Sequence, residues 1–193
     1  MIRIATEADV PQMLAIYAPY IVTTTYTFEY EVPTEAEFLS RFRSLTVQFP
    51  WLVWEEAGRI LGYAYGSAPF ERAAYRWCAE DSVYLLPQAR GRGIGTRLCT
   101  ALEQLLRYQG YRRLYSLISS ENPGSVAFHE KLGYKICGDL RGCGIKFGRE
   151  IGVIWMEKPS NFVDIPSSFP RSWQSIMQDG QTFSDILDIL SLS

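Results

Sequence analysis

Residues 83–96 read VYLLPQARGRGIGT, and this stretch decides the fold. A short apolar run ends at Pro87, and Gly91, Gly93 and Gly95 follow as every second residue. An apolar stripe then recurs at Ile94, Leu98, Ala101, Leu102, Leu105 and Leu106, the spacing of a helix with one buried face. The order is strand, glycine-rich turn, helix. Such a turn leaves the first N–H groups of the helix unpaired and aims them, with the positive end of the helix dipole, at one point. A phosphate or pyrophosphate is the expected occupant.

The flanking sequence builds an α/β domain around that unit. Residues 2–5 alternate as a first strand. Thr6 and Asp9 form a capping-box pattern that opens a helix to about Ile21, with Val10, Met13, Leu14, Ile16, Tyr17, Tyr20 and Ile21 on one stripe. Residues 23–30 carry β-type side chains without a clear pattern and fit a loop or a short strand. Thr34 and Glu37 open a second helix, to about Leu45. Residues 51–55 and 60–66 read as strands around a Glu56-Ala57-Gly58-Arg59 turn. Residues 69–76 make a polar connection to a strand at 80–86. Downstream, Gly110 ends the central helix and residues 113–119 form a strand. Asn122 and Pro123 then cap a helix that Gly133 stops. Residues 134–140 and 150–157 read as two strands joined by a glycine-rich loop. Hairpins imply antiparallel pairs, and the strand–helix–strand unit across 83–119 implies a parallel one.

Bulk properties narrow the function. The chain has 193 residues, 47% hydrophobic and 21% charged, which suits one soluble domain. A net charge of −2 gives no general attraction to nucleic acid or anionic membrane, although Arg90, Arg92 and Arg97 cluster at the glycine loop. No apolar run reaches the roughly 18 residues of a membrane span, and the N-terminus has no signal core, so a cytoplasmic protein is expected. Four cysteines without CxxC spacing and a single histidine argue against a metal site. From residue 159 the chain turns serine-rich, and residues 159–193 read as a tail beyond a domain of residues 1–158. The ordinary reading is a loosely ordered extension. The rival is a segment that docks on its own domain or on a partner subunit, and residues 183–192 (FSDILDILSL) fit one short apolar helix.

The glycine loop alone does not name a ligand. It lacks the lysine of a Walker loop before Thr96, and it lies mid-chain with no ribose-binding acid after it. A tight turn that merely needs glycine would look the same.

A second motif adds what the loop lacks. Residues 90–95 (RGRGIG) match the Q/R-x-x-G-x-G/A loop of the GNAT N-acetyltransferases, and residues 122–134 (NPGSVAFHEKLGY) resemble that superfamily's second signature. Residues 75–84 (YRWCAEDSVY) and 144–149 (GIKFGR) are similar to segments of phosphinothricin acetyltransferases, a group that includes methionine sulfone and sulfoximine acetylases. The resemblance covers about residues 1–158. It implies a mixed, mostly antiparallel sheet with helices on both faces, and acetyl-CoA as cosubstrate.

By that resemblance, the amides of Gly91, Arg92, Gly93, Ile94, Gly95 and Thr96 wrap the pyrophosphate, with Arg90 or Arg92 on cofactor phosphates. Val83, Tyr84 and Leu85 pair with the pantetheine arm, and the Leu85 N–H offers an oxyanion donor. Asn122 and Ser125 stand near the arm. Glu80 matches the family's catalytic glutamate and is the expected base. Its neighbour Asp81 faces the other way on a regular strand, so only one of the two is expected to serve. His129 is expected as a helping base or proton relay, and second as acid to the thiolate. Phe28, Arg72, Tyr75 and Arg76 are the expected amine-site residues, Trp77 being a further candidate, with Arg72 first for a substrate carboxylate. Phe70 stands where relatives that prefer phosphinothricin carry lysine. The resemblance also implies a homodimer and a small-molecule amine. Rival readings are an enzyme acting on a protein N-terminus or antibiotic amine, and a non-catalytic acyl-CoA sensor.

Overall fold

The computed structural model describes residues 1–159, 165–180 and 185. Among them, strands β1 (Ile2–Ile4), β2 (Trp51–Glu56), β3 (Arg59–Ser67), β4 (Cys78–Leu85), β5 (Arg113–Ser119), β6 (Lys135–Lys146) and β7 (Arg149–Pro159) form one sheet in the order β1-β2-β3-β4-β5-β7-β6. Every neighbouring pair is antiparallel except β4 and β5. The helices are α1 (Val10–Thr23), α2 (Glu35–Thr46), α3 (Ile94–Gln109), α4 (Pro123–Lys131) and α5 (Trp173–Gln178).

The sheet carries a core on each face. On one, α1 and α2 bury Met13, Tyr17, Ile21, Phe38 and Phe42 against Trp51, Val53 and Tyr63. On the other, α3 buries Ile94, Leu98, Leu102 and Leu105 against Leu52, Ala64, Ala79 and Leu114. The stripe of residues 94–106 is therefore the inner face of α3, as its spacing predicts.

Local signals mostly set the boundaries. Thr34 accepts from the Glu37 N–H while the Glu37 carboxylate accepts from the Thr34 N–H, so both halves of this capping box form. The Thr6–Asp9 box also forms, but it caps one 3-10 turn before α1. The β2–β3 hairpin turns on Ala57 (φ +49°) and Gly58 (φ +77°), the left-handed pair that suits the strand twist. Residues 24–30 form a loop rather than a strand.

Two stretches differ from the sequence reading. The glycine-rich segment after residue 140 is not a loop. It continues β6 to Lys146, and residues 141–143 are taken up in an irregularity between Leu140 and Gly144. Phe147 and Gly148, both at positive φ, then make the turn. Pattern reading missed this because a bulge breaks the alternation of sides.

Packing also continues past residue 158. Trp173 and Ile176 of α5 are 4% and 0% exposed and join the α3-side core. The Trp173 N–H donates to the Gln48 carbonyl, and the Arg171 N–H to the Gln109 carbonyl at 2.8 Å. The Gln109 amide bridges the Gln48 and Arg171 carbonyls. Trp173 and Ile176 thus pack on the α3 side of the same sheet. The apolar helix expected at 183–192 lies outside the described residues, apart from residue 185.

Candidate active site

The site begins where two parallel strands separate. β4 and β5 share register only at Cys78↔Arg113, Ala79↔Leu114 and Glu80↔Tyr115. Beyond Glu80, β4 stays with β3 while β5 stays with β7, and a wedge opens between them. The Leu86 N–H donates to the Leu61 carbonyl at 2.9 Å, which assigns even-numbered residues of this strand to β3. Val83 and Leu85 therefore turn their backbone groups toward the wedge.

The narrow end of the wedge is a cavity of about 70 Å³ lined by Asp81, Val83, Ser116, Asn122, Ser125 and His129. It adjoins a groove of about 700 Å³ that runs past Leu85 to Gly91, Gly93, Gly95 and Thr96, with Asn122, Ser125 and Phe128 on its other wall. That volume suits a long flexible ligand.

The glycine loop meets its structural requirement. Gly91 and Gly93 have φ of +73° and +75°, and a Cβ at either would meet no atom within 4 Å. Glycine is needed there for the left-handed backbone, which leaves the amides open to the groove. The first helical bond into α3 is from the Arg97 N–H to the Gly93 carbonyl, so the amides of residues 94–96 have no helical acceptor. The two arginines separate. Arg92 pairs with both Glu56 carboxylate oxygens at 2.8 and 2.9 Å, on the surface. Arg90 lines the groove and donates to the Tyr20 hydroxyl at 3.0 Å.

Tyr20 is a site residue that the sequence reading placed in the α1 stripe. Its hydroxyl donates to the Leu85 carbonyl at 2.6 Å and accepts from the Leu85 N–H at 3.3 Å. The backbone groups expected to face the pantetheine arm are thus held by a side chain that a ligand could displace. Asn122 caps α4, its side-chain oxygen accepting from the Ser125 N–H at 3.2 Å.

Glu80 and Asp81 point to opposite faces. Glu80 lies on the α1 and α2 face, in register with Ser67 and Tyr115. Burial first, and then the negative charge of Asp81, push its carboxyl up to about 7. Asp81 is 3% exposed and turns to the α3 and α4 face, where His129, at 2%, lies beside it. The His129 Nε2 stands 3.4 Å from the Asp81 Oδ2 and 2.8 Å from the Ser116 Oγ. Nδ1 stands 2.8 Å from the Ser125 carbonyl oxygen. Burial works against the charged imidazole, yet Asp81 outweighs it and His129 binds its proton more tightly than usual. The two groups expected to share acid–base work are therefore separated by the sheet. Ser116, a polar residue at an inward position of β5, is the signal that could have placed His129 in a buried polar pair.

The expected amine-side residues separate, with only Tyr75 joining the aromatic cluster whose Tyr115 is in register with Glu80. Tyr75 rests on Phe70 with ring centroids 4.5 Å apart, and Phe70 stacks on Trp155 and meets Tyr115 edge-on. Phe28 packs on β6 where only glycine fits, since a Cβ at Gly144 would lie 2.3 Å from its ring. The loop carrying Phe28 is fastened by Lys146, whose ammonium donates to the Thr27 carbonyl at 2.7 Å. Arg72 is exposed at the start of a 3-10 turn. Arg76 lies over the Phe169 ring at 5.0 Å, held against the C-terminal segment. Trp77 contacts that segment too, donating to the Ser168 carbonyl.

Residues 2–155 match the family model described as "Acetyltransferase (GNAT) domain". The chain belongs to the GNAT acetyltransferase family. It is 37% identical over 167 residues to a phosphinothricin N-acetyltransferase of Alcaligenes faecalis, covering 84% of each chain. It is 38% identical over 164 residues to an L-methionine sulfoximine/L-methionine sulfone acetyltransferase of Pseudomonas aeruginosa, covering 81% of this chain and 92% of the relative. Among solved structures, a GNAT superfamily phosphinothricin acetyltransferase of Sinorhizobium meliloti in complex with AcCoA aligns with a TM-score of 0.83 at 34% identity. That alignment covers 88% of this chain and 94% of the other. The protein is thus a GNAT enzyme. Among the described residues no helix is long and apolar enough to cross a membrane, and no group of three or more His, Cys, Asp or Glu side chains is placed to hold a metal ion.

Proposed function

We propose that the protein transfers acetyl from acetyl-CoA to the α-amine of a small amino acid analogue of the methionine sulfone, methionine sulfoximine or phosphinothricin type. The observation that carries this reading is the wedge and groove that run from the glycine loop to the point where the β4–β5 pairing ends, the last pair being Glu80 and Tyr115.

The chain's own groups fit the cosubstrate. The amides at 94–96 and the Arg90 guanidinium would hold the phosphates. Asn122 and the inward backbone of Val83 and Leu85 would hold the pantetheine arm, with Tyr20 giving up its bonds to Leu85. When bound, acetyl-CoA supplies an activated acyl group as a thioester. Glu80, with its carboxyl at about 7, is half-ionised near neutral pH and takes the proton that the amine must lose before attack in a ternary complex. An inward-facing β4 N–H, at Leu85 once Tyr20 moves, would stabilise the developing oxyanion.

Phe28, Tyr75 and the Phe70–Trp155–Tyr115 cluster give the substrate side chain an aromatic surface. Phe70 brings no positive charge there, which favours sulfone and sulfoximine over phosphinate. Arg72 is the reading for the substrate carboxylate, since Arg76 is engaged by Phe169. The exposed Ile136 and Leu140 of β6 fit a homodimer contact, which light scattering checks.

Thiol release from acetyl-CoA, measured against these three analogues, common amino acids and a peptide N-terminus, tests the reading. Turnover with one amino acid analogue supports it. Turnover only with the peptide, or none while acetyl-CoA binds, would sink it.

A further inference from the structure

Arg76 and Trp77, both expected at the amine site, turn toward residues 165–180 instead. That segment is rooted at two turns of the domain. The Trp173 and Gln174 N–H groups donate to the Gln48 and Val47 carbonyls, each at 3.1 Å, just after α2. The Arg171 N–H donates to the Gln109 carbonyl at 2.8 Å, at the end of α3. Pro170 passes over Gly110, where a Cβ would lie 3.6 Å from the proline Cα. From this root, residues 168 and 169 reach the connection that precedes β4. The Ser168 carbonyl accepts from the Trp77 Nε1 at 3.2 Å. The Phe169 ring lies 4.9 Å from the Trp77 ring, and the Arg76 guanidinium stands 5.0 Å from its centre. Phe169 is 53% exposed, so filling the core does not account for its place.

What Phe169 grips is the end of one turn. Arg72 opens it, and Ala73–Tyr75 form a single 3-10 turn. The Tyr75 and Arg76 N–H groups close it on the Arg72 and Ala73 carbonyls, at 2.9 and 3.2 Å. Residues 71–76 are all exposed. Bonds internal to a turn shape it without fixing where it sits. The position of this one comes from side chains: Tyr75 on Phe70 at one side, Arg76 and Trp77 on Phe169 at the other. Beyond the turn, the Trp77 carbonyl accepts from the Arg112 N–H at 2.8 Å and leads into β4.

We propose that Phe169 is a positioning residue for the amine substrate: with the Ser168 carbonyl it holds the Arg72–Tyr75 turn in place, and so sets amine affinity without touching the amine. The inference rests on the reading that gives Arg72 and Tyr75 to the amine site. The cosubstrate side is insulated from it. The groove lined by residues between Val83 and Thr96 and between Asn122 and Lys131 shares no residue with the turn or with the C-terminal segment. A change at Phe169 therefore acts on one substrate and leaves the other alone.

The test is Phe169→Ala in the full chain, with methionine sulfone as the amine. KM for methionine sulfone should rise on the order of tenfold, the factor that an aromatic pair and an exposed cation–π contact carry together. The Kd of acetyl-CoA by calorimetry and the thermal midpoint should hold, because Trp173 and Ile176 keep their core places. Phe169→Tyr keeps the ring and should restore the wild-type KM. Trypsin gives a readout without turnover. Cleavage after Arg72 and Arg76, followed by mass spectrometry, should accelerate in Phe169→Ala and return to the wild-type rate in Phe169→Tyr. Unchanged cleavage at these two arginines would overturn the proposal. So would an unchanged KM for methionine sulfone where Tyr75→Ala raises it, or a loss of acetyl-CoA affinity in step with the amine, which marks a general loosening. Where Arg72→Ala and Tyr75→Ala both leave that KM unchanged, the amine-site reading itself has failed, and the proposal falls with it.

Discussion

Replacing Glu80 by glutamine should make the enzyme slower and, at alkaline pH, more stable. The glutamine keeps size and shape but cannot accept the amine proton, so kcat should drop on the order of 10²-fold or more. The stability effect follows from a carboxyl raised from 4.5 to about 7 by burial and by Asp81. A carboxyl raised in the fold contributes stability fully below its unfolded pKa, and that stability is lost as pH rises through the folded pKa. Ionised Glu80 thus costs the fold about 3 kcal/mol relative to the unfolded chain above pH ~7.5, and about 1 kcal/mol at pH ~5. Glutamine carries no such cost. The stability gap between Glu80→Gln and wild type should widen by roughly 2 kcal/mol between pH ~5 and ~8.5, read by urea denaturation at both pH values. The wild type is expected to lose kcat/KM below about pH 7, and the same variant should lack that fall. A gap that stays constant with pH, or an acid limb that survives in the variant, would refute the reasoning.

Three further outcomes are expected. Gly93→Val places a β-branched residue at φ +75°. The strain of about 1–2 kcal/mol should distort the loop and weaken acetyl-CoA binding roughly tenfold by calorimetry, and unchanged affinity would remove the loop from the cofactor site. Gly144→Ala sets a Cβ against Phe28, so KM for the amine should rise while KM for acetyl-CoA holds; equal changes in both would count against an amine role for Phe28. Trp173→Ala empties a core position, and denaturation should show a loss of about 3–5 kcal/mol, where a loss under ~1 would mean α5 is dispensable.

What the sequence disclosed tracks how local the physics is. The α3 stripe, the two capping boxes, the Asn122 cap and the β2–β3 turn depend on residues a few positions apart, and all were legible. The Gly144 irregularity was not, because β7 rather than β6's own pattern determines where β6 runs. The site divides in the same way. Glycines 91 and 93 announce the left-handed turn before α3 from backbone requirements alone. Tyr20 reads as one more apolar residue of a helix, and only its meeting with Leu85, sixty-five residues away, shows its place. Alternation along β4 correctly put Glu80 and Asp81 on opposite faces. It could not say that His129 waits on the second face, since that depends on how α4 lies over β5.

The family match ends at residue 155, whereas the hydrophobic interior reaches at least to Ile176. A gene excised at the homology boundary would encode a protein missing its plug. Phe49, Tyr111 and the far end of α3 would meet water, and Trp77, three residues before Glu80, would lose its backing. Chimeras that exchange acetyltransferase domains at that boundary would therefore inherit the catalytic motifs intact and still fail. The transplantable unit of this enzyme is longer than its signature.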